Sequence, residues 1–318
     1  MVTAEISTGL MREVRWEEYI EFLRQTNFVV IEDVRIPLTG RKQLTRLQPE
    51  HFEEETTTVW SFPERGDWAT HQGNYRGNWA PQIPRNLILR YTQPGDIVLD
   101  PMVGSGTTLV ECRLLGRNGI GVDINYSALM LAFDRLNFEP LNLYEELPPA
   151  SIRLFHGDAR CLNLIENESV DLVATHPPYA GIIRYSKSEP IEGDLSQMRS
   201  VDKFLEAIEQ VARECYRVLK PNKHCAILVG DTRRHKHYVP IAFWTMERFL
   251  RAGFILREDI VKVQWNMKST RERWSRGKVR DFLLIYHEHL FVFRKPDINE
   301  KMHQFKWSMQ NGSASHPE

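Results

Sequence analysis

Two short stretches of the chain carry residue types suited to chemistry. The first runs Asp96-Ile-Val-Leu-Asp100-Pro101-Met-Val-Gly104-Ser-Gly106-Thr107-Thr108, and the second, about seventy residues on, Asp171-Leu-Val-Ala-Thr-His176-Pro177-Pro178-Tyr179. Each reads as a buried strand that ends in a tight turn. In the first turn Gly104 and Gly106 let the backbone pass close to a ligand. Thr107 and Thr108 open the next helix, whose free N–H groups favour an anionic group such as a carboxylate. Asp123 ends the following strand, where an acid suits a bidentate grip on ribose hydroxyls, and a third acid, Asp158, closes His156-Gly-Asp158. A dinucleotide loop fails, because Gly-Ser-Gly-Thr-Thr-Leu lacks the third glycine of G-x-G-x-x-G; a phosphate loop fails, because no Gly-Lys-Ser/Thr follows. In the second turn two prolines fix the backbone and remove two N–H donors. A fixed carbonyl there accepts from an exocyclic amino group and polarises its lone pair, while Tyr179 offers a ring face for stacking. A neutral His176 accepts from an amino group or donates to a ring nitrogen, and its charge is expected to vary near physiological pH.

The elements that position these turns follow from hydrophobic periodicity. Ile97–Leu99, Gly119–Asp123, Arg153–Asp158, Val170–Ala174 and Cys225–Val229 read as strands, and Gly253–Arg257 begins another. Thr107–Leu115, Ala128–Leu136, Phe204–Leu219 and Ile241–Ala252 read as helices between them. Such alternation predicts an α/β fold with a doubly wound, mostly parallel sheet. Asp281–Tyr286 and His289–Arg294 are expected to form a closing antiparallel hairpin near the sheet edge. Residues 1–66, with an amphipathic helix over Val14–Arg24, are expected to be a helical appendage; residues 67–298 the main domain; and 299–318 a disordered polar tail.

Bulk properties narrow the class. The 318 residues are 42% hydrophobic and 26% charged with net charge −1, so a nucleic-acid surface must come from local clustering. The four cysteines, Cys112, Cys161, Cys215 and Cys225, form no CxxC pair, which argues against structural zinc and for a reducing cytoplasm. Neither a signal peptide nor a membrane-spanning run is evident, so a soluble cytoplasmic protein is expected.

Asp100-x-x-x-Gly104-x-Gly106-Thr-Thr, Gly121-x-Asp123, Gly157-Asp158 and Pro177-Pro178-Tyr179, in this order, resemble the S-adenosylmethionine (SAM)-dependent amino-methyltransferases of DNA. The resemblance covers roughly residues 68–295. It implies a seven-stranded Rossmann-like methyltransferase sheet, with SAM bound by Asp100, Pro101, Gly104, Gly106, Thr107, Thr108, Asp123, Ile124, Asp158, Ala159 and Trp79, and with Asp158 accepting from the adenine amino group. A base flipped out of double-stranded DNA then enters against His176, Pro177, Pro178 and Tyr179, and no metal is needed. The family's motif usually begins with Asp or Asn in adenine-N6 enzymes and often with Ser in cytosine-N4 enzymes; here that residue is His176. The run Tyr179-Ala-Gly-Ile-Ile-Arg-Tyr-Ser186 is closer to cytosine-N4 enzymes, which favours cytosine N4. Adenine N6, an RNA base, or a non-catalytic SAM-binding subunit are the alternatives. A cognate restriction endonuclease is a partner the resemblance allows.

Specificity is expected from small loops, residues 184–202, 231–238 and 262–280. The last is rich in basic residues, among them Lys262, Lys268, Arg271, Arg273, Arg276 and Lys278, with Trp265 and Trp274 interleaved, a composition suited to phosphate contact with stacking. Arg233 and Arg234 are expected to add a second basic edge.

Overall fold

The computed structural model describes residues 10–31, 33–75, 77–142, 146–178, 193–195, 198, 200–265 and 281–309. The chain opens with β1 (Arg12–Val14), α1 (Trp16–Gln25), β2 (Phe28–Ile31), β3 (Val34–Pro37), β4 (Lys42–Leu44) and β5 (Val59–Ser61). It continues through α2 (Gln82–Tyr91), β6 (Ile97–Asp100), α3 (Thr107–Leu115), β7 (Asn118–Asp123), α4 (Tyr126–Leu136), β8 (Phe138–Pro140), β9 (Ile152–His156) and β10 (Val170–Thr175). The last part holds α5 (Val201–Val218), β11 (Leu219–Val229), β12 (Thr232–Arg234), β13 (His237–Val239), α6 (Ile241–Arg251), β14 (Ile255–Val263) and β15 (His287–Arg294).

Nine of these strands form one sheet in the order β1-β9-β7-β6-β10-β11-β15-β14-β5. The five from β9 to β11 are parallel, while β15 runs antiparallel to both β11 and β14. The chain order therefore reverses between β6 and β10, which is where an open α/β sheet leaves a crevice beyond its strand ends. Alternate residues cover the two faces. Leu172 and Ala174 of β10, with Ala226 and Leu228 of β11, pack against α2 residues Ile83, Leu87 and Ile88. Val173, Cys225, Ile227, Phe291 and Phe293 pack against α5 and α6 on the other face, where Phe249 stacks on Phe293 at 4.9 Å.

The sheet has nine strands where seven were expected, because the first sixty residues supply both edges. β1 pairs antiparallel with β9, and β5 pairs parallel with β14 at the far side. Among its described residues that segment contains one helix and five strands, where a helical appendage was expected. The expected hairpin is also repartnered: β15 pairs with β14, and 281–286 form no strand. A short apolar run has no distinguishing period, and here Phe282, Leu283, Leu284 and Ile285 line a cavity instead. Part of the expected tail folds back. Arg294 is bonded to Glu300 at 2.8 Å and lies over the Phe305 ring, and Leu256 N donates to Ser308 O at 2.8 Å.

The segment before α2 is held on the sheet by one buried acid. Glu111 of α3 is fully buried; its Oε1 accepts from Trp68 Nε1 at 2.8 Å and meets His71 Nε2 at 2.7 Å, and its Oε2 accepts from Arg85 Nη1 at 2.9 Å. Burial keeps His71 neutral, so Arg85 is the cation that balances Glu111. Removing one member of such a cluster strands the rest in a low-dielectric interior. Glu111→Ala is expected to cost about 3–5 kcal/mol of unfolding free energy in urea denaturation, and a loss under about 1 kcal/mol would contradict this account.

Candidate active site

The first functional turn is organised by Asp100, the last residue of β6. Its carboxylate is buried and accepts from Thr108 Oγ1 at 2.5 Å, Thr175 Oγ1 at 2.8 Å and Met102 N at 3.2 Å. Burial raises its pKa to about 6, against these hydrogen bonds. Gly104 and Gly106 sit at φ +50° and +84°, in the left-handed region, and a Cβ on Gly106 would lie 3.1 Å from Ala132 Cβ. The glycines therefore permit both the turn and its approach to α4.

Asp123, at the end of β7, anchors the loop from the other side. Oδ2 accepts from Gly104 N and Oδ1 from Asn125 N, both at 2.8 Å. Burial pushes its pKa up to about 7, helped by the nearby carboxylates Asp194 and Asp100. Asp158 behaves differently. Arg160 wraps it, with Nε and Nη2 donating to Oδ2 at 3.0 and 2.5 Å, so the carboxylate already has a cationic partner.

The second turn forms the opposite wall. His176 follows the Asp100-bound Thr175 directly, is about nine-tenths buried, and stacks on Trp79 with centroids 6.0 Å apart and planes 23° from parallel. Its Nε2 lies 4.0 Å from Glu288 Oε1. Burial outweighs that acid and lowers the histidine pKa to about 4, with Lys262 adding to the effect. The expected change of charge near neutrality is thus corrected: the imidazole stays neutral there.

Both turns open into one cavity of about 1130 Å³. Of the residues expected to act, it is lined by Asp100, Pro101, Gly104, Thr107, Asp123, Ile124, Asp158, Ala159, Trp79, His176, Pro177, Pro178 and Arg233. Thr108 is fully buried on Asp100, and neither it nor Gly106 reaches the cavity wall. Arg234 is exposed on β12, away from the cavity. The Arg233 guanidinium makes solvent-exposed bonds to Leu283 O at 3.1 Å and Lys236 O at 2.9 Å. Tyr179, Lys268, Arg271, Arg273, Trp274, Arg276 and Lys278 lie outside the described residues.

Sequence reasoning missed Arg65 and Glu288, and it assigned Lys262 to a basic run suited to phosphate contact. Lys262 points inward, with Nζ 2.8 Å from Glu288 Oε2. The available signal was Lys262 between two valines at the end of β14 and Glu288 just ahead of the apolar run Leu290–Phe293 of β15. Asn78 accepts from Thr107 Oγ1 at the start of α3 and receives Arg65 Nη1 on its carbonyl at 3.1 Å. Arg65 Nε and Nη2 are buried with no hydrogen-bond partner among the described residues, and burial lowers its pKa to about 10.

A doubly wound sheet with a glycine turn, a strand-end acid and a Pro-Pro turn facing one cavity defines a methyltransferase-type protein. The family model described as "DNA methylase", which covers N6- and N4-methyltransferases, matches residues 13–134 and 170–317, and the chain belongs to this family. A model described as "RMKL-like, methyltransferase domain" matches residues 87–219. Among relatives, the chain is 51% identical over 53 residues to the Type II methyltransferase M.HpaI of Haemophilus parainfluenzae, covering 17% of each chain. It is 32% identical over 143 residues to a tRNA (guanine(10)-N2)-dimethyltransferase of Methanocaldococcus jannaschii, covering 43% of this chain and 36% of that protein. Both matches span well under two-thirds of the relative's length. A solved SAM-dependent methyltransferase of Methanosarcina mazei is 15% identical with a TM-score of 0.44, covering 66% of this chain and 98% of that one.

The cofactor of this class is S-adenosylmethionine, and the cavity fits it. Two buried guanidinium nitrogens of Arg65 have no acceptor among the described residues, and the amino-acid carboxylate would supply one. The Asp123 carboxylate beside Gly104 offers oxygens for ribose hydroxyls.

Because the folded pKa of His176 lies below that of an ordinary histidine, about 6.5, the neutral side chain stabilises the fold above that pH and the contribution is lost as pH falls toward 4. Nitrogen NMR of the ring is expected to show a neutral imidazole at pH 6, with stability declining below it. An imidazolium signal at pH 6 would contradict the burial argument.

Proposed function

We propose that the protein transfers a methyl group from SAM to the exocyclic amino nitrogen of a base flipped out of double-stranded DNA, with cytosine N4 the favoured target and adenine N6 the alternative. One observation carries the reading: the glycine turn and the His176-Pro177-Pro178 turn open into the same cavity and are tied to the same buried carboxylate, Asp100. The cofactor supplies an electrophilic methyl group on a cationic sulfur. Asp123 accepts from the ribose hydroxyls, while Arg65 and the start of α3 hold the carboxylate end. Asp158, locked by Arg160, presents its remaining lone pairs to the adenine amino group.

On the substrate side, Pro177 and Pro178 present backbone acceptors at a fixed position. Tyr179 is assigned from sequence to stack on the base. A carbonyl that accepts one amino hydrogen directs the nitrogen lone pair at the methyl carbon. With the C–S pair retained by sulfur, methyl transfer would leave the attacking nitrogen with one proton to shed. His176, neutral and 4.0 Å from Glu288, is placed to take it and pass it to water. The tRNA-modifying relative makes an RNA base the second reading.

Incubation with tritiated SAM and either mixed genomic DNA or total RNA, followed by nucleoside mass spectrometry, tests the proposal. N4-methylcytosine in DNA is the expected product, N6-methyladenine moves the target base, and label in RNA alone contradicts a DNA substrate. Asp123 adds a pH test. Its ionised form is the better acceptor, so cofactor affinity should be constant above about pH 8 and weaken as pH falls through 7. Calorimetry with S-adenosylhomocysteine should show this slope in the wild type and lose it in Asp123→Asn. A pH-independent wild type would remove Asp123 from the ribose site.

A further inference from the structure

We propose that Lys262 and Glu288 together read the Watson–Crick edge of the target base, where cytosine and adenine set an amino donor beside a ring-nitrogen acceptor and guanine sets its amino group beside a second donor. The inference rests on the base-methylation reading and sharpens its substrate class. The two residues stand directly opposite each other on β14 and β15. Their side chains are 17% and 5% exposed, their charged atoms are 2.8 Å apart, and both line the cavity beside His176 and Trp79. Glu288 Oε2 is bonded to Lys262, and Oε1 is the oxygen turned toward His176.

A buried ion pair is an expensive way to hold two strands together, since apolar residues of similar volume serve as well or better. The next pair on the same face of the ladder, Ile260 with Leu290, is buried and apolar, so that face accommodates an apolar rung. What the pair provides is an acceptor and a donor side by side at the wall of the cavity. A carboxylate only accepts and an ammonium only donates. Cytosine presents N4–H as donor and N3 as acceptor, and adenine presents N6–H and N1 in the same relation. Both match Glu288 and Lys262 in register. Guanine presents N2–H and N1–H, two donors, which sets N1–H against the ammonium. Uracil and thymine have no amino group for Glu288. A site with buried polar groups rejects a ligand that leaves them unpaired far more strongly than an apolar site does.

The test uses wild type, Glu288→Gln, and the apolar double variant Lys262→Met/Glu288→Leu. S-adenosylhomocysteine affinity and the thermal transition establish folding, and methyl transfer from tritiated SAM to genomic DNA and total RNA is resolved by nucleoside mass spectrometry. Wild type is expected to label cytosine N4 or adenine N6 and never guanine N2. The double variant should bind S-adenosylhomocysteine within about threefold of wild type yet transfer at least about a hundredfold more slowly. If the double variant does not fold, Glu288→Gln, which keeps shape and a bond to Lys262, decides the matter with a loss of at least about tenfold. Guanine N2 labelling by wild type overturns the edge reading while leaving methylation standing. So does transfer within about threefold of wild type in the folded double variant, or in Glu288→Gln when that variant alone folds. A wild type that labels no nucleic acid removes the underlying function and this proposal with it.

Discussion

The site depends on one buried carboxylate bonded in two directions. Asp100 receives the second residue of α3 through Thr108 and the last residue of β10 through Thr175. The first bond fixes where the glycine turn meets its helix; the second fixes the strand end from which His176 and the two prolines leave. Neighbouring parallel strands already place these turns side by side at the point where strand order reverses. Asp100 sets their relative height. Burial raises the carboxyl pKa, and the two hydroxyl donors oppose that shift, so the acid is held by its partners. Methyl transfer needs donor and acceptor in line, and small errors in that geometry are costly.

Desolvation governs the titrating groups on the cavity wall in one sense. Asp100 and Asp123 are pushed up and His176 is pushed down, each toward its neutral form. Of the charges that remain, Asp158 is paired with Arg160 and Glu288 with Lys262, while Arg65 keeps two nitrogens without a partner among the described residues. In the proposed methyl transfer, a cationic donor would meet a neutral nucleophile beside these groups. This suits a reaction in which positive charge moves from sulfur to nitrogen and then leaves as a proton.

Much of this was legible in the sequence because it rests on local chemistry. Thr107–Leu115 is a helix over the predicted span, since the glycine turn marks its start and Gly116 its end. The two turns, their order and the acids at the strand ends follow from short motifs. What was not legible depends on pairings between distant segments. Nothing local in Arg12–Val14 or Val59–Ser61 says that these three-residue pieces cap opposite edges of one sheet. The partner of His289–Arg294 is β14 rather than the nearer apolar run, a choice made by the sheet as a whole. Lys262 read as one more cation in a basic stretch until the β14–β15 register set it against Glu288. That Arg160 would pair with Asp158 two residues away has no sequence signature.

The central claim is that the two turns serve one reaction across one cavity. A crystal structure of the complex with S-adenosylhomocysteine measures this most directly. The account predicts the ribose on Asp123, the amino-acid carboxylate on Arg65, and the sulfur facing the His176-Pro177 wall with open space between them. Adenosine bound away from Asp123, or a sulfur turned from His176 with the space before it filled by protein, would contradict it.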